Sequence, residues 1–128
     1  MNTPKKGDLF FTYGTLKDGG KYHHILEQSE KIGPATMLVP YPLVVADYPC
    51  LLDQPNEGYH VRGEVYRIMD PDCWDQLDEL EDHPVEYKRK LELIDLNGSN
   101  VQAWTYFYQL LDQLPEGLEP IEEYSAED

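Results

Sequence analysis

The chain has 128 residues and a net charge of −15, because 25 Asp and Glu side chains face only 10 Lys and Arg. This length fits a single domain, and a hydrophobic content of 41% supplies enough apolar side chains for a core, which argues against a disordered chain. The negative charge repels phosphate backbones and anionic lipid headgroups, so binding to nucleic acid or to a membrane surface is disfavoured.

The two cysteines, Cys50 and Cys73, have neither the spacing of a metal or redox motif nor the number expected of a disulfide framework. The N-terminal segment lacks the apolar run of a signal peptide, and no stretch reaches the length of a membrane-spanning helix. We therefore expect a soluble, cytoplasmic protein with no metal site and no cofactor. We also expect a monomer.

Charge is distributed unevenly along the chain. All Lys and Arg precede Leu91, whereas residues 91–128 contain acids and no base. After Pro115 the sequence has turn residues and little periodicity, so we predict a domain over residues 1–114 and an acidic tail over residues 115–128. Such a tail usually keeps a protein soluble, although it would also let a scaffold protein dock a basic partner.

Short apolar segments alternate with turn signals in the first half of the chain. Leu9–Tyr13 predicts a buried strand that runs into a tight loop at Gly14–Gly20. Tyr22–Lys31 has apolar residues at a helical spacing and predicts a short amphipathic helix. Met37–Ala46 is apolar but divided by two prolines into short extended pieces, and His60–Met69 alternates as a half-buried strand.

A helix and a hairpin are predicted in the second half. Asp70 is a suitable N-cap and Pro71 a suitable first helical residue, and His83-Pro84 ends the helix. Glu86–Leu96 and Val101–Tyr108 are joined by a loop that contains Asn-Gly, which is typical of a hairpin. Strands outnumber helices and the helices fall between them, so we predict an α+β fold with a curved or closed mixed sheet.

Glu81 is the acidic residue of this predicted helix that falls among its apolar side chains. At about 100° per residue it lies between Leu77 and Trp74 on the helical wheel. The other acids occupy the opposite, solvated face: Asp72, Asp75, Asp78, Glu79 and Asp82. A carboxyl group that points toward the core has a raised pKa, which suits a general acid and base near neutral pH. The alternative is that Glu81 extends past the core to water or pairs with Arg89 or Lys88.

The sequence Tyr13-Gly14-Thr15-Leu16 (YGTL) directly follows the first predicted strand. A glycine at this place lets the backbone turn away from the sheet and leaves successive N–H groups without strand partners. Such a group of N–H donors holds a carboxylate without a cationic side chain, which matters in so acidic a protein. The alternative is an ordinary turn between a strand and a loop.

Other candidate sites are weaker. His23 and His24 are adjacent, so their side chains point apart, and no other His or Cys stands at a zinc-ligand spacing. No nucleophile motif of a serine hydrolase and no Walker loop is present. Trp104, Tyr106 and Tyr108 share one face of the last predicted strand. We expect this face to pack on the core, with the alternative that one ring forms the wall of a pocket.

Four blocks of the sequence together resemble the γ-glutamylcyclotransferase-like family, also called AIG2-like, and within it the γ-glutamylamine cyclotransferases. The blocks are FFTYGTLK at the first strand, YPLVVA at 41–46, VRGEVYRI at 61–68 and LDELEDHPVEYKR at 77–89. They occur in the order of the family and, with the following hairpin, span about residues 8–108. YGTL alone is a weak signal, but the combination is specific.

The resemblance implies a small mixed β-barrel flanked by short helices, with one cavity at its mouth. It also implies that backbone amides of the YGTL loop hold the carboxylate end of a γ-glutamyl group. The catalytic glutamate of the family falls on Glu81, and Tyr87 is expected to line the cavity. The implied site therefore consists of Glu81 as the catalytic residue and of these substrate-binding residues: Tyr13, Gly14, Thr15, Leu16 and Tyr87.

The reaction implied by the resemblance converts a γ-glutamylamine, such as γ-glutamyl-ε-lysine, or a γ-glutamyl amino acid to 5-oxoproline and a free amine. Glu81 would act as the general acid and base. The alternative is a non-catalytic protein that binds small metabolites in the same pocket. The chain departs from the family at Thr12 and Asp82, and the neighbourhood of Asp47 and Cys50 follows no family pattern. These departures leave the identity of the leaving amine open.

Overall fold

A computed structural model describes residues 3–111 and 114–125. Its strands are β1 (Leu9–Thr12), β2 (Glu30–Met37), β3 (Leu43–Val45), β4 (Pro49–Leu51), β5 (Arg62–Arg67), β6 (Tyr87–Leu96) and β7 (Ser99–Tyr108). One α-helix, α1 (Pro71–Glu81), and one 3-10 helix (His23–Leu26) complete the described elements. Five strands close a barrel in the order β1-β5-β2-β6-β7, while β3 and β4 form a separate two-stranded sheet.

The barrel is mixed, because β1 pairs in parallel with β7 while every other ladder of the barrel is antiparallel. The longest ladder is the β6–β7 hairpin, whose turn consists of Asn97 and Gly98, both with positive φ. An Asn-Gly pair adopts this conformation at little cost, so the sequence alone predicts this hairpin. The predicted α+β class and mixed barrel are confirmed.

The predicted helix over Tyr22–Lys31 is wrong in length. Only His23–Leu26 is helical, as a 3-10 turn, and Glu30 already belongs to strand β2. Gly33 and Pro34 lower the strand propensity of β2, so its sequence gave no strand signal. The strand forms because it pairs with β5 on one side and β6 on the other, with a register shift between Lys31 and Gly33.

Helix α1 begins and ends where its sequence predicts. The Asp70 side chain accepts a hydrogen bond of 2.9 Å from the Asp72 N–H, and Pro71 occupies the first turn. Asp82 ends the helix in the left-handed conformation at φ 51°. Its N–H donates to the carbonyl groups of Asp78 and Glu79 in the last turn. The cis His83-Pro84 bond follows, and the chain then enters β6. This short connection holds Glu81 close to the start of β6.

Two apolar clusters position the helix against the barrel. One fills the barrel itself and includes Phe11, Val65, Ile94 and Phe107. The other lies between α1 and the outer face of the barrel, where Trp74 and Leu77 pack with these residues: Phe10, Tyr66, Trp104 and Tyr106. The predicted aromatic face of the last strand therefore packs on the core. Within the described residues, no helix is long and apolar enough to cross a membrane.

The described C-terminal residues contact both the β3–β4 sheet and the barrel. The Ile121 N–H donates to the Leu43 carbonyl at 2.8 Å, and the Arg62 N–H donates to the Glu122 carbonyl at 2.9 Å. Arg62 Nε also lies 2.8 Å from the Glu122 carboxylate. The predicted boundary between a domain ending at residue 114 and a tail starting at residue 115 stays a prediction, but part of that tail lies on the barrel surface.

Candidate active site

A cavity of about 420 Å³ opens at one end of the barrel. β1 and β7 finish at this end and β6 begins there, because β1 and β7 are parallel and β6 is antiparallel to β7. Three further parts of the chain line it: the end of α1, the connection between β3 and β4, and the C-terminal segment. The cavity contains every residue that the sequence predicts for the site, namely Tyr13, Gly14, Thr15, Leu16, Glu81 and Tyr87.

The YGTL loop presents backbone donors at the cavity. In the described residues, the N–H groups of Gly14, Thr15 and Leu16 donate to no acceptor. The loop is held in shape by its carbonyl groups instead, since the Lys17 N–H donates to the Gly14 carbonyl at 3.1 Å and the Tyr22 N–H donates to the Thr15 carbonyl at 3.0 Å. Free N–H groups beside a cavity can bind an anion such as a carboxylate.

Glu81 is the last residue of α1 and its partly buried side chain lines the cavity. No hydrogen bond to its carboxyl group is present within residues 3–111 and 114–125. Burial raises the pKa of Glu81 from 4.5 to about 7, and the negative charge of Glu86 contributes in the same direction. At neutral pH the carboxyl group is therefore populated in both its protonated and its ionised form.

The pairing of Glu81 with Arg89 or Lys88, which the sequence left open, is not formed. Arg89 instead makes a two-point contact with Asp78, with Nε to Oδ1 and Nη2 to Oδ2 both at 3.1 Å, and the Tyr106 hydroxyl donates to the same carboxylate at 2.5 Å. The placement of Asp78 on a solvated helix face is thus wrong, because β6 and β7 reach this side of α1. The contact fixes α1 on the barrel and leaves Glu81 free.

Two tyrosine hydroxyl groups in the cavity wall donate hydrogen bonds to backbone carbonyl groups. Tyr87 donates to the Pro49 carbonyl at 2.8 Å, and Tyr13 donates to the Tyr106 carbonyl at 2.7 Å. Burial raises the pKa of both hydroxyls well above the usual value, so both stay neutral. They act as fixed walls of the cavity, and Tyr87 also joins β6 to the β3–β4 sheet.

Several lining residues are not predicted by the sequence. Glu86 lies one residue before β6 and accepts a hydrogen bond from the Tyr48 hydroxyl. Asp47 and Tyr48 come from the connection between β3 and β4, and Tyr124 comes from the predicted tail. Glu86 lies within the LDELEDHPVEYKR block, for which the resemblance implies roles only for Glu81 and Tyr87, and Tyr48 lies in a segment without a motif. Asp47 belongs to the segment that follows no family pattern and for which the sequence left the identity of the leaving amine open.

Metal-ligating groups do not converge here. In the described ranges, no group of three or more His, Cys, Asp or Glu side chains is arranged to hold a metal ion. The cavity instead offers the Glu81 carboxyl group of raised pKa, two further acidic side chains at Glu86 and Asp47, one lysine at Lys21 and the three free backbone N–H groups of the YGTL loop. This set can bind an anionic group and transfer a proton within one cavity.

Replacing Glu86 by Gln is expected to lower the pKa of Glu81. The Glu86 carboxylate disfavours a second negative charge nearby, so its removal favours ionisation of Glu81 at lower pH. The shift should be smaller than the part caused by burial, which the substitution leaves in place. A titration of the Glu81 carboxyl carbon by NMR measures it, with Glu79→Gln on the exposed face of α1 as the control. An unchanged Glu81 pKa in the Glu86 variant would contradict this electrostatic coupling.

Comparisons with known proteins identify the family of this chain. The family model described as γ-glutamyl cyclotransferase, AIG2-like, matches residues 10–126. The chain is 37% identical over 113 residues to γ-glutamylaminecyclotransferase A of Danio rerio, which covers 80% of this chain and 70% of that protein. A Drosophila melanogaster relative is 38% identical over 105 residues, which is 75% of this chain and 66% of that protein. The chain thus spans about two thirds of the length of these curated relatives.

The fold comparison covers nearly the whole molecule. The crystal structure of an AIG2-like protein from Mus musculus superposes with a TM-score of 0.85 and 29% sequence identity. The superposition covers 97% of this chain and 92% of the mouse chain. Sequence motifs, barrel topology and the family match thus lead to one conclusion: the chain belongs to the γ-glutamyl cyclotransferase, AIG2-like family.

Proposed function

We propose that this protein is a cyclotransferase that converts a γ-glutamylamine, or a γ-glutamyl amino acid, to 5-oxoproline and a free amine. One observation carries the proposal. Glu81, with a pKa of about 7, and the free N–H groups of the YGTL loop line the same cavity. The name of the zebrafish relative, γ-glutamylaminecyclotransferase A, favours an amine as the leaving group.

The YGTL loop holds the α-carboxylate of the substrate in this proposal. The N–H groups of Gly14, Thr15 and Leu16 are the donors. Successive backbone N–H groups can bind a carboxylate without the help of a cationic side chain. Binding the carboxylate at this loop fixes one end of the γ-glutamyl chain. The chain then folds back so that its α-amine approaches its own γ-carbonyl carbon.

The reaction forms one bond and breaks another. The α-amine nitrogen attacks the γ-carbonyl carbon, closing a five-membered ring, and the bond from that carbon to the leaving nitrogen breaks. Because the nucleophile belongs to the substrate, no covalent intermediate with the enzyme is needed. Well-oriented intramolecular attack has an effective molarity of about 10⁵ M or more. The protein therefore has to supply the pose and the proton transfer.

Glu81 carries the proton in this mechanism. Its ionised form accepts a proton from the attacking α-amine, and its protonated form then donates one to the leaving amine. The α-amine attacks in its neutral form, after its ammonium proton has passed to water, and the released amine takes up a second proton from water, so no proton is gained or lost over the reaction. A pKa near 7 suits both steps, since neither form is strongly disfavoured at neutral pH. Glu86, also in the cavity wall, would favour the positive charge that the leaving amine acquires.

The test is release of 5-oxoproline from three substrates: γ-glutamyl-ε-lysine, γ-glutamyl-alanine and glutathione. They share the γ-glutamyl half and differ in the leaving group. We expect turnover of at least one, with γ-glutamyl-ε-lysine the preferred substrate. Folded protein that binds 5-oxoproline but turns over none of the three would instead favour a non-catalytic binding protein. Protein that neither binds nor reacts would overturn the proposed use of the cavity.

A further inference from the structure

The C-terminal arm, defined here as Ile121–Tyr124, reaches the cavity although it lies beyond the predicted domain. Its first half is fixed to strand β3 by the Ile121 hydrogen bond to Leu43 and to strand β5 of the barrel by the backbone and side-chain contacts of Glu122 with Arg62. Its last residue, Tyr124, is partly buried, packs against the apolar cluster of the barrel and lines the cavity. Because both ends of the C-terminal arm make contacts, the arm forms a fixed part of the cavity wall.

Lys17 holds the far end of this arm. Its side chain is buried, with only 8% of the residue exposed, and its Nζ donates to the Tyr124 carbonyl. Burying a lysine costs free energy unless its ammonium group is hydrogen-bonded. The hydrogen bond to Tyr124 compensates for this cost, whereas an exposed surface lysine would need no such partner. Lys17 directly follows Leu16 of the YGTL loop. The contact therefore joins the arm to the loop that, in the proposed function, holds the substrate carboxylate.

We propose that Tyr124 is a substrate-contacting residue and that the C-terminal arm, held by Lys17, forms the wall of the γ-glutamyl half of the cavity. The proposal rests on the proposed cyclotransferase function. The anchor of Tyr124 lies one residue from the YGTL loop, whereas the charged and polar side chains that accompany Glu81, namely Glu86 and Tyr48, come from other segments. Because Lys17 is the chain neighbour of Leu16, the proposal assigns Tyr124 to the half that all γ-glutamyl substrates share.

The ring of Tyr124 would contribute binding and would keep water from the folded-back chain. Removing it enlarges the cavity and removes contacts that the γ-glutamyl chain makes equally in the bound substrate and in the transition state. The loss should appear mainly in substrate affinity, because Tyr124 supplies no proton. It should also be independent of the leaving amine, because that part of the substrate lies elsewhere.

The experiment compares Tyr124→Ala, Tyr124→Phe and Lys17→Met in the full chain. We expect Tyr124→Ala to raise KM about tenfold for γ-glutamyl-ε-lysine and for γ-glutamyl-methylamine alike, with kcat within about threefold of wild type. The Kd of 5-oxoproline, which contains only the γ-glutamyl half, should rise similarly. Tyr124→Phe keeps the ring and should retain affinity. Lys17→Met should raise KM less than Tyr124→Ala, since the rest of the arm stays anchored.

Glu123→Gln, an exposed change on the same arm, is the matched control and should leave KM and Kd at the wild-type values. A wild-type KM and Kd in Tyr124→Ala would overturn the proposal, and so would a rise in KM confined to γ-glutamyl-ε-lysine. A fall in kcat with an unchanged KM, accompanied by a lower unfolding temperature, would show a purely structural role. Absence of turnover in the wild type would count against the proposed function, whereas 5-oxoproline binding tests Tyr124 separately.

Discussion

Glu81→Gln is expected to lower kcat by about 10²–10⁴-fold, which is the usual contribution of a general acid or base. Glutamine has nearly the same size as glutamate, so it keeps the shape of the cavity while it removes the group that accepts and donates the proton. KM and the Kd of 5-oxoproline should change little, because the proposed carboxylate contacts are made by backbone N–H groups of the YGTL loop. Steady-state kinetics with γ-glutamyl-ε-lysine and calorimetric titration with 5-oxoproline measure the two effects.

The matched control for this variant is Glu79→Gln, on the exposed face of the same helix. It removes one negative charge from α1 without touching the cavity and should retain the wild-type kcat. A Glu81 variant that retains its kcat would exclude this residue as the proton carrier. A Glu81 variant that loses affinity for 5-oxoproline without any turnover in the wild type would favour the binding-protein alternative.

Gly20→Ala is expected to lower kcat/KM at least tenfold by displacing the YGTL loop. A Cβ atom at this position would lie 2.2 Å from the Thr15 carbonyl oxygen and 2.9 Å from the Lys17 carbonyl oxygen. Both contacts involve backbone atoms, which cannot rotate away as a side chain can. The loop must therefore shift, and the free N–H groups of Gly14, Thr15 and Leu16 shift with it. Forcing an extra carbon into a packed site typically costs about 1–3 kcal/mol of stability as well.

Gly7→Ala separates the effect on the loop from a general loss of stability. Gly7 has φ +91° but no atom within 4 Å of an added Cβ, so alanine there strains only its own backbone. This variant should lose stability, by about 1 kcal/mol, and keep its KM. Chemical denaturation and steady-state kinetics on both variants make the comparison. If Gly20→Ala loses stability but keeps a wild-type KM for γ-glutamyl-ε-lysine, the YGTL loop does not bind the substrate carboxylate in the way proposed.

The ends of α1 and the β6–β7 turn were predictable because their signals are local. Asp70 and Pro71 start the helix through contacts within two residues, and the Asn97-Gly98 turn needs only its own backbone conformation. The strand β2 was not predictable for the opposite reason. Its Gly33 and Pro34 disfavour a strand, and pairing with β5 and β6 overrides that preference.

The helical wheel predicted the surroundings of Glu81 correctly and those of Asp78 wrongly, because a wheel takes account of the helix alone and not of its neighbours. A wheel divides a helix into one face toward the core and one toward water. Glu81 lies within the apolar face, between Leu77 and Trp74, and lines the cavity. Asp78 lies on the predicted wet face, but Arg89 and Tyr106 reach it from β6 and β7. The sequence of α1 contains no information on which neighbouring strands extend polar side chains toward it.

The sequence by itself determined the YGTL loop and the position of Glu81, the first through a short motif and the second through the 3.6-residue period of a helix. Its motifs in combination determined the family, and the resemblance to that family implied the mixed barrel. Only the tertiary structure decided what surrounds Glu81. Tyr48 and Glu86 meet across 38 residues, and Lys17 and Tyr124 meet across 107. Barrel closure brings such distant segments together at one end. No local pattern reports a contact between two residues that lie so far apart in the sequence.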